Sequence, residues 1–273
     1  MLLDVNGFRF SAQEAGPPDG QAVLLLHGFP QTASSWSAVM ARLADRGLRC
    51  VAVDQRGYSP GARPASVSDY RLAGLVGDAA GFIAAVGAPV HLVGHDWGGV
   101  VGWQVAARYP SLVASWTAVS TPYALALRDV LVDPAQRERF GYMRQLREPS
   151  SEQWLLAEGA ARFRELFGGR VPGGRVDEDL AALSAPGALT AATNWYRAMS
   201  RSDSDGLGPV RVPTTYVWGS QDLAFSREAA VRTAQYVDAD YRFVPLEGAS
   251  HWLPDELPDL LADEIAARAS VDD

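Results

Sequence analysis

Short apolar runs alternate with longer amphipathic stretches toward both ends of the chain. The runs Val23–Leu26, Arg49–Val53, Val90–Val93, Ser115–Val119, Thr214–Trp218 and Tyr241–Leu246 have the length of strands rather than helices. A further strand, in a hairpin, is predicted around Phe8–Glu14. Apolar residues recur at helical spacing in Ser35–Leu43, Leu72–Val86, Gly98–Tyr109, Arg227–Tyr236 and Leu257–Arg268. Strands alternating with helices predict an α/β class, a mostly parallel sheet flanked by helices.

The alternation stops after Thr121-Pro122 and resumes after Gly208-Pro209. Between Tyr123 and Gly208 only amphipathic helical stretches occur, broken by Gly168-Gly169, Gly173-Gly174 and Pro186-Gly187. A helical block between two strand blocks predicts an inserted all-helical cap, residues 123–208, on a core of residues 1–122 and 209–273. No internal repeat or low-complexity segment interrupts this plan.

A chain of 273 residues accommodates one large α/β domain with such an insertion. Its 48% hydrophobic and 21% charged residues are ordinary globular values, so disorder is not expected. A net charge of -8 argues against nucleic acid as the main partner. All 24 basic residues are Arg, which together with abundant Ala and Gly suggests a GC-rich bacterial coding sequence. The single cysteine, Cys50, excludes an intramolecular disulfide and, within Cys50-Val51-Ala52-Val53, reads as a core thiol. Met1-Leu2-Leu3-Asp4-Val5 has no signal-peptide character, and no apolar run approaches the ~18 residues of a membrane span. A soluble, cytoplasmic protein is expected.

The candidate chemistry begins at Gly94-His95-Asp96-Trp97-Gly98-Gly99, which follows the strand Val90–Val93 and precedes a helix. This is the spacing of a nucleophile elbow, with Asp where the commoner version has Ser. The central residue of such a turn is strained, and bulky side chains two positions to either side would clash. By itself Asp96 could equally be a helix N-cap. Two other segments shift that balance. His27-Gly28-Phe29-Pro30, directly after Val23–Leu26, has the form of an oxyanion-hole turn, with the amides of Phe29 and Trp97 as donors. His251 lies in a loop after the last strand, where ligands of α/β sheets collect, and is the candidate general base among His27, His91, His95 and His251. His91 lies inside a strand and reads as structural; His95 flanks the elbow and reads as support. Asp222 follows Thr214–Trp218 and completes the order nucleophile, acid, histidine. Its competitor as acid, the loop Ser120-Thr121-Pro122, contains no carboxylate.

A carboxylate nucleophile narrows the reaction. It is ionised at neutral pH, displaces a leaving group at saturated carbon, and forms an ester that water can cleave. A serine would form an ether and stop there. Asp96 therefore points away from carboxylic esters and toward epoxides or alkyl halides. His251, oriented by Asp222, would activate the water.

These segments, with Asp54-Gln55-Arg56-Gly57-Tyr58, make the chain resemble the epoxide hydrolases of the α/β-hydrolase superfamily over essentially its whole length. The resemblance implies a cis peptide at Phe29-Pro30 and an apolar epoxide as substrate, with no metal or cofactor. It also implies two cap tyrosines that protonate the epoxide oxygen. Tyr196, in Asn194-Trp195-Tyr196-Arg197-Ala198-Met199, and Tyr142, in Phe140-Gly141-Tyr142-Met143, are the counterparts. His27, Pro30 and Trp195 are expected to shape the substrate pocket. The chain departs from the family at Ser59-Pro60-Gly61, where many members carry Gly-x-Ser. The alternatives are a haloalkane-type dehalogenase using the same Asp96, or a non-catalytic binding protein on this scaffold. Halide leaves as a stable anion and needs only weak donors, and haloalkane dehalogenases often carry Asn where Phe29 stands. Fluoroacetate-type dehalogenases share the His-Gly-Phe-Pro turn but use Arg near the elbow, where this chain has Trp97 and Val100.

Overall fold

The computed structural model describes residues 1–270. Eight strands form one sheet in the order β1-β2-β4-β3-β5-β6-β7-β8. In chain order they are β1 (Leu2–Val5), β2 (Phe8–Ala15), β3 (Ala22–Leu26), β4 (Arg49–Val53), β5 (Val90–His95), β6 (Val113–Val119), β7 (Thr214–Gly219) and β8 (Tyr241–Leu246). From β4 onward every pairing is parallel; β1 and β2 are added antiparallel. The expected N-terminal strand is thus the second arm of a hairpin whose first arm is Leu2–Val5. Its two-residue turn, Asn6-Gly7, has φ of 51° and 80°, the left-handed conformation that matches strand twist.

The apolar runs of the central strands are divided between the two faces. Val23 and Leu25 of β3, with Cys50 and Ala52 of β4, pack under α1 (Ser37–Ala44) and, at the far end of the chain, the helix Pro258–Ala269. Leu24, Leu26, Val51 and Val53 join the core on the opposite face, beside α2 (Leu72–Val86) and α3 (Trp97–Arg108). A sheet covered on both sides explains why these strands read as continuous apolar runs. Burial pushes the Cys50 thiol up to about 12, as suits an inert core residue.

Between β6 and β7 the described elements are all helical: α4 (Ala124–Val130), α5 (Pro134–Arg139), α6 (Gly141–Arg147), α7 (Ser151–Glu165), α8 (Gly173–Leu183) and α9 (Ala188–Ala198), with a short 3-10 turn after them. α7 is interrupted at Ala157–Ala160 by non-helical backbone. After β7 come α10 (Arg227–Arg232), α11 (Leu253–Glu256) and α12 (Pro258–Ala269). Among the described residues no helix is long and apolar enough to cross a membrane.

Candidate active site

β5 ends at His95 and α3 begins at Trp97, leaving Asp96 alone in the turn with φ 51° and ψ −118°. A non-glycine residue holds such a conformation only where its surroundings enforce it. Here Val100 N–H and the Thr121 hydroxyl both donate to the Asp96 carbonyl, at 3.0 and 2.9 Å. A Cβ at Gly94 would lie 2.3 Å from the Gly98 carbonyl oxygen, so the turn closes only with glycine there. Asp96 occupies the N-cap position of α3, yet its side chain makes no capping bond to the helix. The carboxylate turns toward the β3 loop instead.

There the Phe29 amide donates to Asp96 Oδ1 at 2.8 Å, and the neighbouring Trp97 amide helps to hold the carboxylate ionised. The two amides named from the sequence thus converge on one group. Phe29-Pro30 is cis, and a Cβ on Gly28 would lie 2.3 Å from the Asp96 Cβ. The Asp54–Tyr58 segment holds this turn. Asp54 Oδ1 accepts from the Ala33 amide at 2.8 Å, and the Gln55 side chain donates to the His27 carbonyl at 2.6 Å. His27 is fully buried, with the Gln55 amide donating to Nε2 and Nδ1–H directed to the Gly28 carbonyl. The partners select its neutral form, in line with a pKa lowered by burial.

On the other side of Asp96, His251 presents Nε2 to Oδ2 at 3.6 Å. Its Nδ1 donates to Asp222 Oδ2 at 2.9 Å, and Asp222 Oδ1 accepts from the amides of Ala224 (2.7 Å) and Phe225 (2.9 Å). All three side chains are nearly sealed from solvent: Asp96 is 8% exposed, Asp222 2% and His251 2%. Burial by itself would strip the proton from His251. The Asp222 charge and hydrogen bond, aided by Asp96, outweigh it and raise the imidazole to about 10. Burial opposes ionisation of Asp96, but the His251 and His95 interactions and the Trp97 amide leave its pKa below the ordinary value. The resting site is therefore an Asp96 carboxylate facing a His251 imidazolium, backed by Asp222.

Above the carboxylate stand two phenols. The Tyr196 ring meets Phe29 and Trp97 edge-on, with centroids 5.1 and 5.3 Å apart, and Tyr142 meets Tyr196 at 6.4 Å. Tyr196 is buried and Tyr142 half-buried. Desolvation first, then the neighbouring phenol and the Asp96 charge, raise Tyr196 well above the usual range; Tyr142 moves the same way. Both are neutral hydroxyls that feel the Asp96 charge. Trp195 packs edge-on against Trp97 at 5.5 Å, and its indole N–H donates to the Arg56 carbonyl at 2.8 Å. Pro30 is buried in the cis turn.

This arrangement can be set beside known proteins. Residues 23–264 match the model of the Alpha/beta hydrolase family. The chain is 32% identical to "Epoxide hydrolase A" of Mycobacterium tuberculosis, over 94% of this chain and 92% of that one. The chain belongs to the epoxide hydrolase family of the α/β-hydrolase superfamily. It is also 30% identical to the "AB hydrolase superfamily protein YfhM" of Bacillus subtilis, over 94% and 93% of the two chains. Among solved structures it is similar to "Epoxide Hydrolase A from Mycobacterium thermoresistibile", with TM-score 0.85, 27% identity and 98% and 97% coverage.

Around this family site Ser120 carried no sequence signal of its own, whereas His95 was expected as support. Ser120 Oγ donates to the His251 carbonyl at 2.8 Å, and His95 Nε2–H donates to the same oxygen at 2.8 Å. That geometry leaves His95 Nδ1 buried without a partner among the described residues, and burial followed by the His251 charge lowers its pKa to about 3. The loop Ser120-Thr121-Pro122 supplies no acid, but its two hydroxyls anchor Asp96 and His251 through their backbone carbonyls. A separate open cleft of about 700 Å³, walled by Arg71, Gln104 and Arg108, contains none of the site residues.

Proposed function

We propose that this protein opens an epoxide with water to give a vicinal diol, through an ester on Asp96. Asp96 Oδ2 attacks a ring carbon, the carbon–oxygen bond breaks, and its electron pair goes to the ring oxygen, which takes a proton from Tyr142 or Tyr196. The proton resting on His251 balances the phenolate; passing it to the tyrosine leaves a neutral imidazole. Loss of the Asp96 charge on esterification favours that release. His251 then takes a proton from water, the hydroxide adds to the ester carbon, and Oδ1 develops negative charge against the amides of Phe29 and Trp97. Collapse expels the diol alkoxide, which takes the proton held by His251 and leaves Asp96 as a carboxylic acid; transfer of that acid's proton to His251 restores the resting ion pair. No step needs a metal or cofactor.

The single observation that carries this reading is the pair of neutral phenols set over an ionised carboxylate backed by a histidine. An epoxide leaves as an alkoxide and needs an acid; a halide does not. The dehalogenase alternative would use the Trp97 indole as halide donor and leave the phenols packed around it, Tyr196 and Tyr142, without a part. Residues 123–208, which contribute both phenols, act in this reading as the cap over a core of 1–122 and 209–273. His27, Pro30 and Trp195 fix the pocket from behind rather than by reaching substrate, since the polar atoms of His27 and Trp195 are engaged with backbone. The substrate is a small, largely apolar epoxide, matching the rings of Phe29, Trp97, Tyr142 and Tyr196. A panel of aryl and alkyl epoxides, haloalkanes and p-nitrophenyl esters tests the assignment. Diol formation from epoxides is expected; halide release without diol formation would overturn it.

A further inference from the structure

The segment that carries Tyr142 also grips the loop that carries Asp222. Gln136, in α5, is fully buried. Its Nε2 donates to the Ala224 carbonyl at 2.8 Å and its Oε1 accepts from the Ser226 amide at 2.9 Å. The loop residues it holds are the same stretch whose amides, at Ala224 and Phe225, bind Asp222 Oδ1. Arg139, one turn further along, donates to the Asp222 carbonyl at 2.5 Å. Phe140 meets Phe225 edge-on at 5.8 Å, and the Phe225 ring in turn lies 6.1 Å from the His251 imidazole.

A helix that only covered a pocket would have no reason to bury a carboxamide here. Glutamine is seldom fully buried, and a buried amide pays for itself only when both ends are paired. The planar group offers a donor and an acceptor together, so it replaces a neighbouring strand for a loop that has none. Removing it leaves the Ala224 carbonyl and the Ser226 amide unpaired inside the protein. The loop must then shift to satisfy them, and Asp222 moves with it.

We propose that Gln136 is a positioning residue: its side chain clasps the Asp222 loop, so that the segment bearing Tyr142 and the Asp222–His251 pair are held as one unit. The inference rests on the function proposed above for what that unit does, although the clasp itself can be tested without substrate. In effect the group that opens the ring and the pair that hydrolyses the ester share one mount.

The test uses Gln136→Met, which keeps length but has no strong donor or acceptor, and Arg139→Met, an exposed change that weakens the same contact. First, the His251 ring proton is followed by NMR against pH in the protein without ligand, and assigned by its loss in His251→Gln. A looser Asp222 holds the imidazolium less well, so the His251 pKa is expected to fall by about one unit in Gln136→Met and by less in Arg139→Met. Second, single-turnover measurements with styrene oxide separate ester formation from ester breakdown. Breakdown is expected to slow by about 10- to 100-fold in Gln136→Met, with formation affected less. If His251 titrates as in the wild type in both variants and only the melting temperature changes, Gln136 is mere packing and the inference is overturned. If Gln136→Met does not fold, an unshifted His251 in Arg139→Met overturns it equally. Failure of the wild type to form any ester would instead sink the proposed function, and the titration would still decide the clasp.

Discussion

The Phe29 amide donates to Asp96 Oδ1 across 2.8 Å, so one oxygen of the carboxylate is already held by a backbone donor, while the adjacent Trp97 amide favours its charge. The other, Oδ2, faces His251 at 3.6 Å. In the proposed reaction the two oxygens have different work: Oδ2 attacks carbon, and Oδ1 becomes the carbonyl oxygen of the ester, in place to take the charge when water adds.

This division predicts that removing His251 stops the second step and spares the first. His251→Gln should still esterify Asp96 but hydrolyse the ester about 10²- to 10⁴-fold more slowly. Intact-protein mass spectrometry after mixing with an epoxide should show one adduct per chain, mapped to the peptide containing Asp96. An unmodified protein would count against a two-step route.

In the proposed reaction the phenols act on the first step. Tyr196→Phe and Tyr142→Phe should each slow ester formation by about 10- to 100-fold, and the double variant by more, because one hydroxyl partly substitutes for the other. Pre-steady-state tryptophan fluorescence can follow this, since Trp97 lies 5.3 Å from Tyr196. Ester breakdown should keep its rate in both single variants.

The Asp96–His251 ion pair has a pH signature. The folded pKa of His251, about 10, lies above its ordinary 6.5, so its contribution to stability is complete below pH 6.5 and lost as pH rises through about 10. Asp96 is shifted below 3.8, so its contribution is present above that value and lost as pH falls through its folded pKa. The stability of the wild type relative to Asp96→Asn should therefore be greatest between pH 3.8 and 6.5 and decline toward pH 10. Denaturant titrations of both proteins across that range provide the check, and a flat difference would show that the pair is not ionised.

The elbow itself makes a stability prediction. Gly94→Ala places a methyl group 2.3 Å from the Gly98 carbonyl, which only a shift of backbone can relieve. A cost of about 1–3 kcal/mol is expected, with a lower denaturation midpoint. Unchanged stability would mean that the turn is looser than described.

Much of this architecture was legible in the chain because it rests on local rules. The apolar runs of β3 and β4 are continuous since both sheet faces are covered, and Gly94 and Gly98 mark a turn that larger residues cannot make. The hairpin expected around Phe8–Glu14 has Leu2–Val5 as its first arm, joined through Asn6-Gly7. What escaped were contacts between segments distant in sequence. Gln136 reaches Ala224 across 88 positions, and the hydroxyl of Ser120 reaches His251 across 131. Neither residue type announces such a role, since a glutamine or serine on a helix or loop usually faces water. His95 read as support for the elbow, but its partner did not: the bond to the His251 carbonyl depends on how two loops meet in space.

The most direct measurement is a single turnover in water enriched in oxygen-18, with enzyme in excess over epoxide. The account predicts that the first diol carries only unlabelled oxygen, one atom from the epoxide and one from Asp96, while the label enters the Asp96 carboxylate. Label in the diol of that first turnover, with Asp96 unlabelled, would mean that water attacks the ring directly and that Asp96 is not the nucleophile.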